Sequence, residues 1–150
     1  MKASLERGFT LIELVVVITI LGILAAFAVP RFIALDSQAR IATVNGLAGS
    51  VKSAASLARG LAMATSAGAA GTVSMEGQTI QLNNYYPDSA TIAAAVNSDN
   101  KNDWTFTPGT ATTVSTWAKI GAPTPTSCEV TSLPATSSAP PAVLVVTGGC

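Results

Sequence analysis

Gly8-Phe9-Thr10-Leu11-Ile12-Glu13-Leu14-Val15-Val16-Val17-Ile18-Thr19-Ile20-Leu21-Gly22-Ile23-Leu24-Ala25-Ala26-Phe27-Ala28-Val29-Pro30 is the stretch around which the chain is organised. As helix at about 1.5 Å per residue, the run from Phe9 to Pro30 spans roughly 33 Å, close to the hydrocarbon thickness of a bilayer. Only Glu13 within it is charged. An acid deep in a membrane span costs roughly 2.5–3.5 kcal/mol on insertion scales, which makes Glu13 a candidate functional residue.

Upstream lies a short polar leader, Met1 to Gly8, with Lys2, Glu6 and Arg7. Basic residues before a span hold that end in the cytoplasm and direct the remainder outward. The order differs from a secretory signal, in which the apolar core is discarded after an A-x-A site. Here Gly8 precedes the apolar run, so a cut between Gly8 and Phe9 keeps the span and exposes an α-amine on Phe9. That amine stands four positions before Glu13, on the same helical face.

Gly8-Phe9-Thr10-Leu11-Ile12-Glu13 followed by this run closely resembles the type IV prepilin signature, shared by type IV pilins and the pseudopilins of type II secretion. The resemblance covers about the first third of the chain. It implies cleavage after Gly8 by a prepilin peptidase, N-methylation of Phe9, and a salt bridge between Glu13 and the Phe9 amine of a neighbouring subunit. It extends to Gly22 and Pro30, where pilins place a helix-loosening glycine and proline. The partners it implies are identical subunits in a helical filament, the peptidase, the pilus assembly machinery, and the inner membrane before assembly. Further along, Tyr85-Tyr86-Pro87 and the segment after it loosely resemble pilins of the mannose-sensitive haemagglutinin kind.

The 150-residue length suits one folded unit with an anchor. We expect a leader at 1–8, a transmembrane and assembly helix at 9–30, and a globular head at 31–150 that includes the helix's second half. Eight acids balance eight bases, so composition gives no sign of electrostatic capture of nucleic acid. Histidine is absent, which removes the commonest general base near neutral pH and the commonest metal ligand. No Ser/Lys motif points to an activated nucleophile, so no catalytic, cofactor or metal residue is assigned. The anchor's orientation sends Cys128 and Cys150 to an oxidising compartment, where they should pair. A C-terminal disulfide around a variable loop is also what the pilin resemblance implies, zinc being the other reading of two cysteines.

After Pro30, Ile41, Val44, Leu47, Ala48, Val51, Ala54, Ala55, Ala58, Leu61 and Ala62 recur at three- and four-residue steps. One helix is therefore expected from about Phe9 to about Ala64, with Gly68 as a left-handed cap. Asp36 and Arg40 form an i,i+4 pair read as solvent-facing. Gly46, Gly49 and Gly60 are read as points of close approach by strands or neighbouring helices. Thr72–Met75 and Thr79–Leu82 around Glu76-Gly77 suggest a hairpin. Tyr85 to Asp88 reads as a loop, with Asp88 or Ser89 capping a short helix. Asn97 to Asp103 reads as a polar connection. Segments at 104–106, 113–120, 128–131 and 143–146 suggest strands, with a Pro108-Gly109 turn and a proline-rich connection at 134–141. The fold class is thus α+β: a long N-terminal helix, half of it amphipathic, packed on a small antiparallel sheet closed by a disulfide.

These features favour a pilus subunit serving surface attachment, twitching motility or DNA uptake. A type II secretion pseudopilin is the first alternative. Major pseudopilins tend to end in an acid-lined calcium loop, whereas the last 20 residues here hold no acid. A minor tip pilin binding DNA or sugar is the second. Its basic residues beyond the span are few, chiefly Lys52, Arg59, Lys101 and Lys119, and no nucleic-acid site is evident. The chain is expected in the inner membrane as a precursor, then in an extracellular filament.

Overall fold

A computed structural model of the chain describes residues 8–98 and 102–150. The leader up to Arg7, and residues 99–101 of the polar connection with Lys101, lie outside the described residues. Two compact units divide the chain, one ending at Ser37 and one comprising Gln38–Cys150. Helix α1 covers Leu11–Ala64 and contains Pro30.

In the first unit, the helix buries nothing. Ile18 is 56% exposed and Phe27 75%, and the same holds along both sides of the helix from Leu11 to Leu35. This segment is long and apolar enough to cross a membrane. An apolar surface this continuous, with no polar face, must be covered by lipid or by protein.

In the second unit, α1 turns amphipathic. The stripe read from the sequence faces inward: Val44, Val51, Ala58 and Ala62 are fully buried, and only Ile41 and Leu61 stay partly exposed. The helix ends in a Schellman-type closure, in which the Ala67 amide donates to the Ala62 carbonyl at 2.9 Å. The left-handed residue there is Ser66 (φ 54°), not Gly68 as expected.

Two antiparallel sheets, where one was expected, lie against this helix. Strands β1 (Thr72–Met75), β2 (Gln78–Asn83) and β3 (Tyr86–Pro87) form the first. The β1–β2 turn is Glu76-Gly77 with φ of 50° and 81°, a primed turn whose twist matches the strands and which favours glycine second. The β2–β3 turn is Asn84-Tyr85, also left-handed at both residues (φ 53° and 68°). Tyr86 and Pro87 were read as loop; they pair with Asn83 and Leu82 instead. The turn lacks glycine, and tyrosine rarely adopts this conformation, so the usual signal is missing.

Short helix α2 (Ile92–Ala95) follows. Its N-cap is Thr91, not Asp88 or Ser89 as expected; Asp88 instead holds the cap residue, its carboxylate accepting from the Thr91 amide at 2.8 Å and the Thr91 hydroxyl at 2.6 Å. Strands β4 (Trp104–Thr107), β5 (Ser115–Lys119), β6 (Glu129–Leu133) and β7 (Ala142–Val146) make the second sheet in sequence order. The residues after Pro108 run on to Thr113 before β5 begins, so this connection is longer than a tight turn.

Each sheet has its own core. Val73, Met75, Ile80 and Leu82 pack with Ala58 and Ala62 near the end of α1. Trp117, Val130 and the two cysteines pack with Val44, Leu47, Ala48 and Val51, about two to five turns earlier. Trp117 is fully buried; its indole N–H donates to Ser98 Oγ at 3.0 Å and its ring lies 4.9 Å from Phe106. Ser115, also fully buried, donates to the Ser89 carbonyl and accepts from the Gly109 amide, joining the two sheets' connecting segments. The small side chains on α1 let strands approach closely, while Trp117 supplies bulk.

Gly46, Gly49 and Gly60 do not serve such an approach. They are exposed, and a Cβ added at each would meet nothing within 4 Å. Among the described residues no strand packs directly on them, although Gly46 and Gly49 line a cavity of about 820 Å³ across from Ser74 and Met75 of β1.

Candidate functional site

Two places combine the features singled out above: the start of α1, and the loop closed by the cysteines. At the first, Thr10 precedes the first helical residue and Glu13 sits three positions later. The Glu13 carboxylate accepts from the Thr10 amide at 2.8 Å and from the Thr10 hydroxyl at 2.7 Å. The Glu13 amide in turn reaches Thr10 Oγ1 at 3.4 Å. This is a capping box, T-x-x-E, which satisfies backbone groups that a helix start leaves unpaired. The Thr10-Leu11-Ile12-Glu13 spacing is its ordinary sequence signal, legible beside the membrane-span reading of Glu13.

The cap changes how Glu13 is understood. The acid has a local structural role, and both of its Thr10 bonds engage one oxygen, Oε2. Phe9 lies outside the helix and is 91% exposed. Gly8 is exposed as well. The Gly8–Phe9 bond thus lies outside the helix in exposed chain. Gly22 and Pro30 lie within unbroken helix, and a Cβ at Gly22 would meet nothing within 4 Å. Pro30 has no amide to donate to Ala26, so one carbonyl there lacks its helical partner.

At the second place, Cys128 and Cys150 form a disulfide with Cα atoms 4.8 Å apart. Cys128 lies just before β6 and Cys150 beyond β7, so the bridge closes the β6–β7 pair. Both cysteines are buried in the larger core. Arg40 ties this loop to α1: its Nε donates to the Cys150 carbonyl at 2.7 Å and its Nη1 to the Gly121 carbonyl at 3.1 Å. Arg40 is half-buried, and these two bonds reach residues far along the chain. The approach is tight at Gly149, where a Cβ would lie 2.5 Å from the Thr124 carbonyl oxygen.

Hydrogen bonds to a charged donor contribute about 1.5–3 kcal/mol, so Arg40→Ala is expected to lower stability by about that amount. Arg40→Lys should recover only part, because one ammonium cannot span both carbonyls as the fork does. Urea unfolding of the detergent-solubilised protein measures both; equal stability of all three would show the fork to be dispensable.

Comparison with known proteins bears on the first place above all. Residues 4–29 match the family model of the prokaryotic N-terminal methylation motif. The type IV narrow pilus major component PilA5 of Thermus thermophilus is 56% identical over 52 residues, 35% of this chain and 45% of that protein. The type IV major pilin PilE of Neisseria gonorrhoeae is 36% identical over 104 residues, 66% of this chain and 61% of that protein. The type IV major fimbrial protein FimA of Dichelobacter nodosus is 41% identical over 51 residues, 34% of this chain and 33% of that protein. The chain thus spans between a third and three fifths of the length of these curated relatives. No solved structure matches it significantly. By motif and by relatives, the chain is similar to type IV pilins, and its helix-plus-sheet architecture with a bridging disulfide is what the sequence resemblance led us to expect.

Proposed function

We propose that this chain is the structural subunit of a type IV pilus, polymerising through its N-terminal helix into a filament for surface attachment or motility. The observation that carries the reading is the wholly exposed apolar segment from Leu11 to Leu35, headed by Glu13 and overlapping the methylation-motif match over residues 4–29. In the precursor, this segment anchors the chain in the inner membrane. After cleavage between Gly8 and Phe9 and methylation of the new amine, the same side chains pack against other copies. A contact that repeats head-to-tail without closing generates a helical filament.

Within the filament, the Phe9 amine of an incoming subunit meets Glu13 of one already placed. A buried charge pair of this kind specifies register more than it adds net stability. Gly22 and Pro30 mark the segment where the helix opens most cheaply during packing. The named relatives are pilus and fimbrial components, which favours this reading over a secretion pseudopilin or a tip adhesin.

The test is the mass and N-terminal sequence of protein sheared from the cell surface. Abundant protein beginning with methylated Phe9 is expected; protein confined to membranes would overturn the filament assignment. Gly8→Leu should leave the leader attached and filaments absent, since a bulky side chain crowds the cleavage site. Mature-length protein from that variant would remove the processing claim.

A further inference from the structure

Lys52 and Arg59 stand on one side of α1, seven residues and therefore about 10.5 Å apart along the helix. Lys52 lines a cavity of about 160 Å³ and Arg59 one of about 320 Å³, and the two share Tyr86 and Pro140 as walls. No carboxylate lines either cavity among the described residues. Arg59 donates to the Tyr86 hydroxyl, and its guanidinium carbon lies 5.0 Å from the centre of that ring, so the cation is held in place.

The facing wall is polar. Ser137 and Ser138 come from the connection between β6 and β7, and Tyr85 from the β2–β3 turn. Tyr85 holds a left-handed backbone (φ 68°) and is 42% exposed. Non-glycine residues keep such a conformation only where their surroundings impose it. Asn84 supplies part of that constraint, its amide donating to the Ala135 carbonyl at 3.3 Å and so tying the turn to the serine-bearing connection.

We propose that these neighbouring cavities together bind an acidic saccharide, a short chain of carboxylated sugars. The Arg59 fork suits a carboxylate in two-point contact, and Lys52 supplies a second positive charge about two turns away. Ser137, Ser138 and the Tyr85 hydroxyl offer hydrogen bonds to sugar hydroxyls. Nucleic acid fits less well. Two cations neutralise at most two phosphates, and the Tyr86 ring has one face taken by Arg59 and so makes a poor stacking platform. The site lies wholly within the second unit and does not depend on filament assembly.

The test uses the full-length protein in detergent and three probes: a galacturonic-acid oligomer, a neutral galactose oligomer of equal length, and a DNA duplex of about the same size. The acidic oligomer is expected to bind, and the neutral one at least tenfold more weakly. Arg59→Gln and Lys52→Gln should each reduce acidic-oligomer binding about tenfold, the loss of one charge-assisted contact. Lys119→Gln, at a cation paired with Asp103 elsewhere on the surface, should change it less than twofold. Unfolding curves establish that each variant is folded, and Ser138→Ala, a mild change in an exposed connection, should weaken binding about threefold. Failure of the acidic oligomer to bind, equal binding of the neutral oligomer, tighter binding of DNA, or an equal loss from Lys119→Gln would each overturn the proposal.

Discussion

Glu13→Ala protein is expected to be inserted and processed like the wild type, yet to form no filaments when it is the only subunit. The reasoning starts from cost: an ionised acid in hydrocarbon is unfavourable unless a partner offsets it. In the isolated chain, that partner is Thr10, which holds one carboxylate oxygen through two hydrogen bonds. In the proposed filament, the Phe9 amine of the next subunit supplies the countercharge. Alanine removes both the cap and the charge, so a second variant is needed. Glu13→Gln keeps a side chain that can complete the capping box while removing the negative charge. If register depends on the charge pair, the glutamine variant should also lack filaments, with sheared yield falling at least tenfold. Filaments at wild-type yield from the glutamine variant, with none from alanine, would assign Glu13 to capping alone. Co-expression with wild type sharpens the test, because a wild-type acid can still receive the mutant's amine; the alanine variant should then enter mixed filaments at reduced frequency.

The second large effect concerns the bridge. Cys150→Ser is expected to destabilise the second unit by about 2–5 kcal/mol, the usual range for losing a native disulfide in a small domain. Three consequences combine. The unfolded chain regains the freedom of a loop with a sequence separation of 22. A buried hydroxyl replaces a buried sulfur in a core that also holds Trp117 and Val130. Arg40 loses a fixed position for one of its two carbonyl acceptors. Urea unfolding and limited proteolysis of the solubilised protein read the loss directly. Reduced wild-type protein should behave much as the variant does. Equal protease resistance of variant and wild type would mean that strand pairing, not the bridge, holds β6 and β7 in place.

Much of this protein was legible without coordinates, and the reasons are local. The apolar run from Phe9 to Pro30 can satisfy its backbone in a membrane only as helix, so length and composition suffice to read it. The stripe from Ile41 to Ala62 repeats at helical spacing over six turns and buries the face it marks. The cysteine pair needs only an oxidising compartment. The Glu76-Gly77 hairpin announces itself through a residue pair that favours a primed turn.

Tertiary structure decided what depends on distant neighbours. Whether the strands form one sheet or two follows from how Ala58, Ala62 and the Val44–Val51 segment receive them, and no single strand's pattern reports that. The Asn84-Tyr85 turn has no glycine signal, because its strained residues are held by the surrounding cavity wall and by the bond to Ala135. The bonds from Arg40 to the carbonyls of Gly121 and Cys150, far along the chain, could not be read from its sequence neighbours. The placing of Arg59 beside the serines of the β6–β7 connection has the same origin. Backbone periodicity is written residue by residue along the chain. A side chain's partners are selected by closure of the whole fold, and only there do these roles become visible.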